Sequence, residues 1–149
     1  MVNKFTGDGF LAVFGVPLAQ NPTQTATQAL NSAAALQHTL LELNQQLLAE
    51  KRPAMKLRVG LHSGEVITGS MGSSERMEYA VIGDVVNVSS RLESLNKERQ
   101  VNLCRVLLSK ETLNLLTNPE QWQFNCWGSF PLKGRDQSVE VYELTGLNN

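Results

Sequence analysis

Cysteine is scarce: Cys104 and Cys126 are the only two in 149 residues. Two thiols make neither a disulfide framework nor a zinc quartet. No apolar run is long enough to span a bilayer, and no charged-then-apolar leader opens the chain. These absences lead us to expect a cytosolic, reducing setting. Net charge is nearly absent too, at −1. That removes any general electrostatic pull toward nucleic acid or anionic lipid, and leaves a local anion site open. Internal repeats, low-complexity tracts and a Gly-x-x-x-x-Gly-Lys-Ser/Thr loop are also missing. What is there is ordinary for a globular chain: 42% apolar and 18% charged residues, in a length that fits one domain with a real core.

The chain is organised around its first ten residues. The β-rich runs Val2–Phe5 and Phe10–Phe14 flank Thr6-Gly-Asp-Gly9. Two glycines supply the backbone freedom of a tight hairpin and put Asp8 at its tip. Asp8 reads either as a turn aspartate or as a metal carboxylate, since hard cations take oxygen ligands held on a rigid element.

Asn21 and Pro22 open a long helix as N-cap and first helical residue. Ala26, Leu30, Ala33, Leu36, Leu40, Leu43 and Leu47 mark its apolar face, and Gln, Asn and Thr its other face. The pattern predicts a scaffold helix lying on a sheet and ending near Glu50, before Lys51-Arg-Pro53. Lys56–Gly64 and Glu65–Met71 read as a strand–turn–strand hairpin, and residues 72–78 as a polar loop. Tyr79–Ile82 is a short strand. Gly83-Asp84 opens a helix to about Asn96, with Val85, Val88 and Leu92 inward and Asp84 as N-cap or first-turn acid. A strand over Val106–Ser109, a short helix over Lys110–Leu116 capped by Ser109, and strands over Gln121–Phe130 and Val139–Leu144 complete an α+β chain.

Four blocks carry a resemblance: Lys4-Phe-Thr-Gly-Asp-Gly9, Leu57-Arg-Val-Gly-Leu-His-Ser-Gly-Glu65, Tyr79-Ala-Val-Ile-Gly-Asp-Val-Val-Asn-Val-Ser-Ser-Arg-Leu-Glu93 and Leu132-Lys-Gly134. In this order and context the chain resembles the class III adenylate/guanylate cyclase catalytic domain, from its first residue almost to its last. The resemblance implies a ferredoxin-like α+β fold, with an antiparallel or mixed sheet and packed helices. It implies a dimer, homodimer or heterodimer, with active sites at the interface. The implied reaction converts ATP or GTP to a 3′,5′-cyclic monophosphate and pyrophosphate with two divalent metal ions, Mg²⁺ or Mn²⁺. The Gly-Gly-Asp/Glu-Glu-Phe signature of diguanylate cyclases is absent.

By the same resemblance, Asp8 is one of two metal aspartates. Asn87 orients the ribose, and Arg91 stabilises charge on the α-phosphate. Their i, i+4 spacing puts both on one helical face. Arg91 read alone is a surface cation pairing with Glu93 or a neighbouring acid. Arg58 and Lys133 correspond to the cations for the β- and γ-phosphates, a fork and a point charge. His62 reads as structural, and His38 has no assigned role. Lys4 and Ala80 stand at the base-recognition positions. Lys4 matches the lysine that donates to adenine; guanine's protonated N1 would meet it donor to donor. Ala80 replaces the usual acceptor for the adenine amino group. A neutral hydrogen bond is worth roughly 0.5–1.5 kcal/mol, so Ala80 loosens a preference for ATP without reversing it.

The resemblance further implies that the other metal aspartate, its central strand and covering helices lie upstream of Met1. Residues 1–149 are then an N-terminally incomplete catalytic domain, a fragment or late-start form of a complete cyclase. The alternative is a short protein that serves as a catalytically incomplete nucleotide-binding or regulatory partner. In the dimer, the metal aspartates and the Arg58-type residue come from one subunit. The Lys4-, Asn87-, Arg91- and Lys133-type residues come from the other.

Overall fold

The computed structural model describes residues 1–73, 76–132 and 137–148, with side-chain surroundings described at all of these except 3–6, 71, 73 and 76–79. Lys133, in the fourth block, lies outside the described residues, and the side chain of Lys4 is likewise outside the description. The chain runs β1 (Val2–Thr6), β2 (Gly9–Ala12), α1 (Pro22–Ala49), β3 (Leu57–Leu61), β4 (Ile67–Ser73), β5 (Arg76–Ile82), α2 (Asp84–Ser94), β6 (Cys104–Ser109), α3 (Lys110–Leu115), β7 (Trp122–Pro131) and β8 (Ser138–Leu147).

The strands form a four-stranded sheet ordered β3-β6-β8-β7 and two ribbons, β1-β2 and β4-β5. β3 pairs β6 in parallel, and β6-β8 and β8-β7 are antiparallel. The mixed sheet with helices on it is the α+β class the sequence predicts. Period-two alternation along β6 splits the core. Val106 and Leu108 join Ala26, Leu30 and Ala33 of α1 together with Leu116, Trp122 and Leu144. Leu107, between them, joins Val88 and Leu92 of α2 with Leu132, Val139 and Val141. The sheet therefore lies between α1 on one face and α2 on the other.

Local chemistry sets the ends of α1. The Asn21 side chain accepts from the Thr23 N–H at 2.8 Å, and Pro22 occupies the first helical position. At the other end Lys51 takes a φ of 59°, its N–H donates to Leu48 O at 3.0 Å, and the Arg52 N–H donates to Leu47 O at 2.8 Å. That is a Schellman closure with lysine where glycine usually stands. Ser109 caps α3 as expected, accepting from the Thr112 N–H at 3.3 Å.

Three expectations are corrected. β3 does not form a hairpin with β4: it pairs β6 from Leu57↔Cys104 to Leu61↔Leu108, while β4 pairs β5 from Ile67↔Ile82 to Ser73↔Arg76. β6 is buried on both faces, the condition in which parallel pairing is favoured. Pairing of β4 with β5 also turns much of the expected polar loop into strand, since Gly72, Ser73, Arg76, Met77 and Glu78 all lie in the ladder. Asn44, on the supposed polar face of α1, is 2% exposed. Its side chain donates to Met55 O at 3.0 Å and accepts from the Met55 N–H at 2.7 Å, which fastens the segment after the helix.

Candidate active site

The β1-β2 hairpin turns through Gly7 and Asp8, with Thr6 paired to Gly9 and Phe5 to Phe10. Gly7 has a φ of 59°, a conformation L side chains rarely adopt, although a Cβ there would meet nothing within 4 Å. Conformation, not space, requires glycine beside Asp8. The Asp8 carboxylate is exposed and has no hydrogen bond or ion pair to any described residue. β1 lies against β5, so the strands that carry Lys4 and Ala80 are neighbours.

β5 runs through Gly83 directly into α2, where Asp84 takes the first helical turn and Gly83 the N-cap position. Asp84 is therefore the first-turn acid of the two readings. Val88 and Leu92 form the buried stripe, 1% and 0% exposed. With roughly 100° per residue, Asn87 and Arg91 lie on one flank of that stripe and Glu93 on the other. Asn87 is exposed and Arg91 half-buried. Neither side chain has a hydrogen bond or ion pair to a described residue.

The helix can lie this close to β3 because of Gly60. A Cβ there would sit 2.2 Å from Ser89 O and 2.6 Å from the Glu93 N–H nitrogen. Two residues earlier on the same face, Arg58 Nε donates to Glu93 Oε1 at 3.1 Å. The Arg91–Glu93 pair that Arg91 read alone would suggest does not form; Glu93 pairs with Arg58 instead, since residues two apart on a helix do not face each other. Arg58 meets one flank of α2, and Asn87 and Arg91 occupy the opposite flank.

Sequence reasoning passed over Arg105. It stands in register beside Arg58 and is 1% exposed. Its guanidinium donates to Asn96 O and Glu93 O, both at 3.0 Å, and Nε has no partner among the described residues. The Trp127 ring lies 5.3 Å from it, with Arg99 at 3.8 Å from the same ring. Burial, and then the Arg58 cation, pull the Arg105 guanidinium below its ordinary value, against Glu143, Glu93 and Glu98. The available signal was a cation inside the apolar run Cys104-Arg-Val-Leu-Leu108.

His62 has the structural place expected of it. Its Nδ1 lies 2.6 Å from Ser109 Oγ, and Ser63 Oγ lies 2.8 Å from Thr112 Oγ1, so the end of β3 is tied to the start of α3. His38 pairs with Glu42 at 3.1 Å on the exposed side of α1.

Among the described residues no group of three or more His, Cys, Asp or Glu side chains could hold a metal ion. Asp8 still fits such an ion as a single hard ligand, being exposed, uncommitted and fixed on a tight turn. Magnesium-type ions take one or two carboxylates and complete their shell with phosphate and water. No described helix is long and apolar enough to cross a membrane.

Residues 3–146 match the family model described as "Adenylate and Guanylate cyclase catalytic domain". Adenylate cyclase 1 of Rhizobium meliloti (strain 1021) is 33% identical over 144 residues, covering 97% of this chain and 21% of that protein. The adenylate cyclase of Anabaena cylindrica is 28% identical over 148 residues, covering 96% of this chain and 28% of that protein. This chain thus spans between about a fifth and three-tenths of these curated relatives. Two crystal structures superpose at a TM-score of 0.83: the guanylyl cyclase Cya2, 28% identical over 99% of this chain and 71% of that one, and the adenylyl cyclase CyaB from P. aeruginosa, 29% identical over 97% and 70%. Spanned by that family model almost end to end, the chain belongs to the adenylate and guanylate cyclase catalytic domain family.

Proposed function

We propose that this domain is an adenylate cyclase, converting ATP to 3′,5′-cyclic AMP and pyrophosphate in cyclic-nucleotide signalling. One observation carries the reading: the side chains with the chemistry for it, Asp8, Asn87 and Arg91, sit on rigid elements and make no hydrogen bond or ion pair within the described protein. Polar groups held rigid yet uncommitted are suited to a ligand.

Asp8 would hold divalent metal, with triphosphate and water completing its shell. Bound there, the ions would lower the pKa of the ribose 3′-hydroxyl and neutralise the triphosphate. Asn87 orients the ribose so that this hydroxyl faces the α-phosphorus in line. Arg91, one turn further on the same flank, donates to the α-phosphate oxygens where charge builds. Arg58 and Lys133 bind the β- and γ-phosphates. Lys4 donates to adenine, and Ala80 leaves the amino group without a side-chain acceptor, which weakens the preference over GTP by about tenfold at most.

The site is shared between two subunits: Asp8 and Arg58 of one act with Lys4, Asn87, Arg91 and Lys133 of the other. The placement of Arg58 and of Asn87 with Arg91 on opposite flanks of α2 supports this division. Asp8→Ala and a double Asn87→Ala, Arg91→Ala chain test it. Each alone should lose at least about 100-fold in kcat. A mixture should recover up to about a quarter of wild-type turnover, because half the dimers are mixed and each has one intact site. A mixture of folded, dimeric chains no better than its parts would sink the shared site.

One observation favours a second reading, a nucleotide-binding partner without turnover: Asp8 has no fellow metal ligands among the described residues. Metal-dependent ATP binding with no cyclic product would support it.

A further inference from the structure

Arg105 has no place in the four blocks, yet it is the largest of the fully buried side chains. A buried cation is costly unless its hydrogen bonds repay the loss of water. Here they go to two carbonyls, Glu93 O in the last turn of α2 and Asn96 O just beyond the helix, which also accepts from the Arg99 N–H. Helix C-termini leave carbonyls unpaired and carry partial negative charge, so a guanidinium fork is chemically matched to that end. Residue 93 is gripped twice, its carbonyl by Arg105 and its carboxylate by Arg58. The two arginines are cross-strand neighbours on β3 and β6. The Trp127 ring closes over Arg105, and its Nε1 donates to Glu143 Oε1 at 3.0 Å, which holds the indole in place.

We infer that Arg105 is a positioning residue for the cyclase reaction: it clamps the C-terminal end of α2 and so fixes where Asn87 and Arg91 point. It touches no substrate and acts through the helix. The inference rests on the cyclase reading for its kinetic half and on geometry alone for the clamp. Gly60 lets α2 approach β3, and Val88 and Leu92 hold its inner stripe, but apolar contacts resist sliding along the helix axis poorly. The directional bond from Arg105 to Glu93 O, with its second bond to Asn96 O in the segment that follows, fixes that coordinate. A shift of one ångström at Arg91 is enough to matter for phosphoryl chemistry.

Arg105→Lys is the test, because lysine keeps the charge and loses the fork. Amide exchange over residues 91–95 should speed at least tenfold, while exchange in β6 and β8 stays slow. In the full chain assayed with ATP and divalent metal, kcat should fall about 10- to 100-fold with KM moving less than about threefold. Asn21→Ala, which weakens the distant α1 cap, serves as the control for general destabilisation and should leave kcat unchanged below its melting temperature. A folded lysine variant with wild-type exchange and wild-type kcat overturns the inference. Equal kcat losses in the lysine variant and the Asn21 control overturn it too. Should Arg105→Lys fail to fold, Trp127→Leu, which loosens the guanidinium without removing it, carries the same readouts, and no change in either overturns the clamp. A wild-type chain silent with both nucleotides would sink the cyclase reading and the kinetic half with it, while the exchange experiment would still decide the clamp.

Discussion

At the scale of single residues, Arg58 has two claims on it. Its proposed partner is a triphosphate, and its partner in the nucleotide-free chain is Glu93 at 3.1 Å. The pair is 27% and 41% exposed, so water screens it and it contributes only about 0.2–1 kcal/mol. Glu93 therefore competes weakly with phosphate. Glu93→Gln should lower KM for nucleotide roughly two- to fivefold, with kcat changed little. Steady-state kinetics at low ionic strength would show this, and an unchanged or higher KM would mean that the pair does not compete. The sequence displayed Glu93 beside Arg91 and invited that pairing. Helix geometry directs the two side chains apart, and the true partner lies 35 positions away on β3. Arg105 was hidden for a related reason: its run looks like plain buried strand, and only the packed helix end makes sense of a cation there. Asp8 was legible, because Gly-Asp-Gly between two β-rich runs permits few backbones.

Elements were legible where a local signal bounds them. Asn21-Pro22 and Ser109 cap the helices they were expected to cap. Strand partners were legible for the β1-β2 hairpin, which a tight turn joins, but not for β3 and β4, because pairing there is a choice that neighbouring residues do not encode. β3 and β4 are adjacent in sequence, yet β3 takes β6 and β4 takes β5. The glycine in β3 has meaning only in that arrangement, since it faces α2 across the sheet. Gly60→Ala puts a methyl group against backbone atoms, Ser89 O and the Glu93 nitrogen, that cannot swing away. It should cost at least about 1–3 kcal/mol and push α2 off the strand. Denaturant unfolding gives the stability, and exchange across α2 gives the displacement; a neutral substitution would mean that the helix is not seated as described.

At the scale of the whole molecule, the described residues form a mixed sheet with α1 on one face and α2 on the other, and two ribbons, one carrying Asp8 and the other Ala80. Family membership follows from residues 3–146 and from superposition at 0.83 on cyclases of both specificities. Similarity to cyclases of both kinds leaves nucleotide choice to the proposed roles of Lys4 and Ala80. The most direct test is to assay the purified chain with ATP and with GTP, in magnesium and in manganese, for cyclic nucleotide and pyrophosphate, with folding and dimerisation checked on the same sample. Our account predicts that the cyclic product formed is mainly cyclic AMP, with GTP turned over more slowly by a margin that Ala80 narrows about tenfold at most. A folded dimer that makes cyclic GMP faster than cyclic AMP would contradict it, and one that binds nucleotide and makes neither would favour the second reading, a nucleotide-binding partner without turnover.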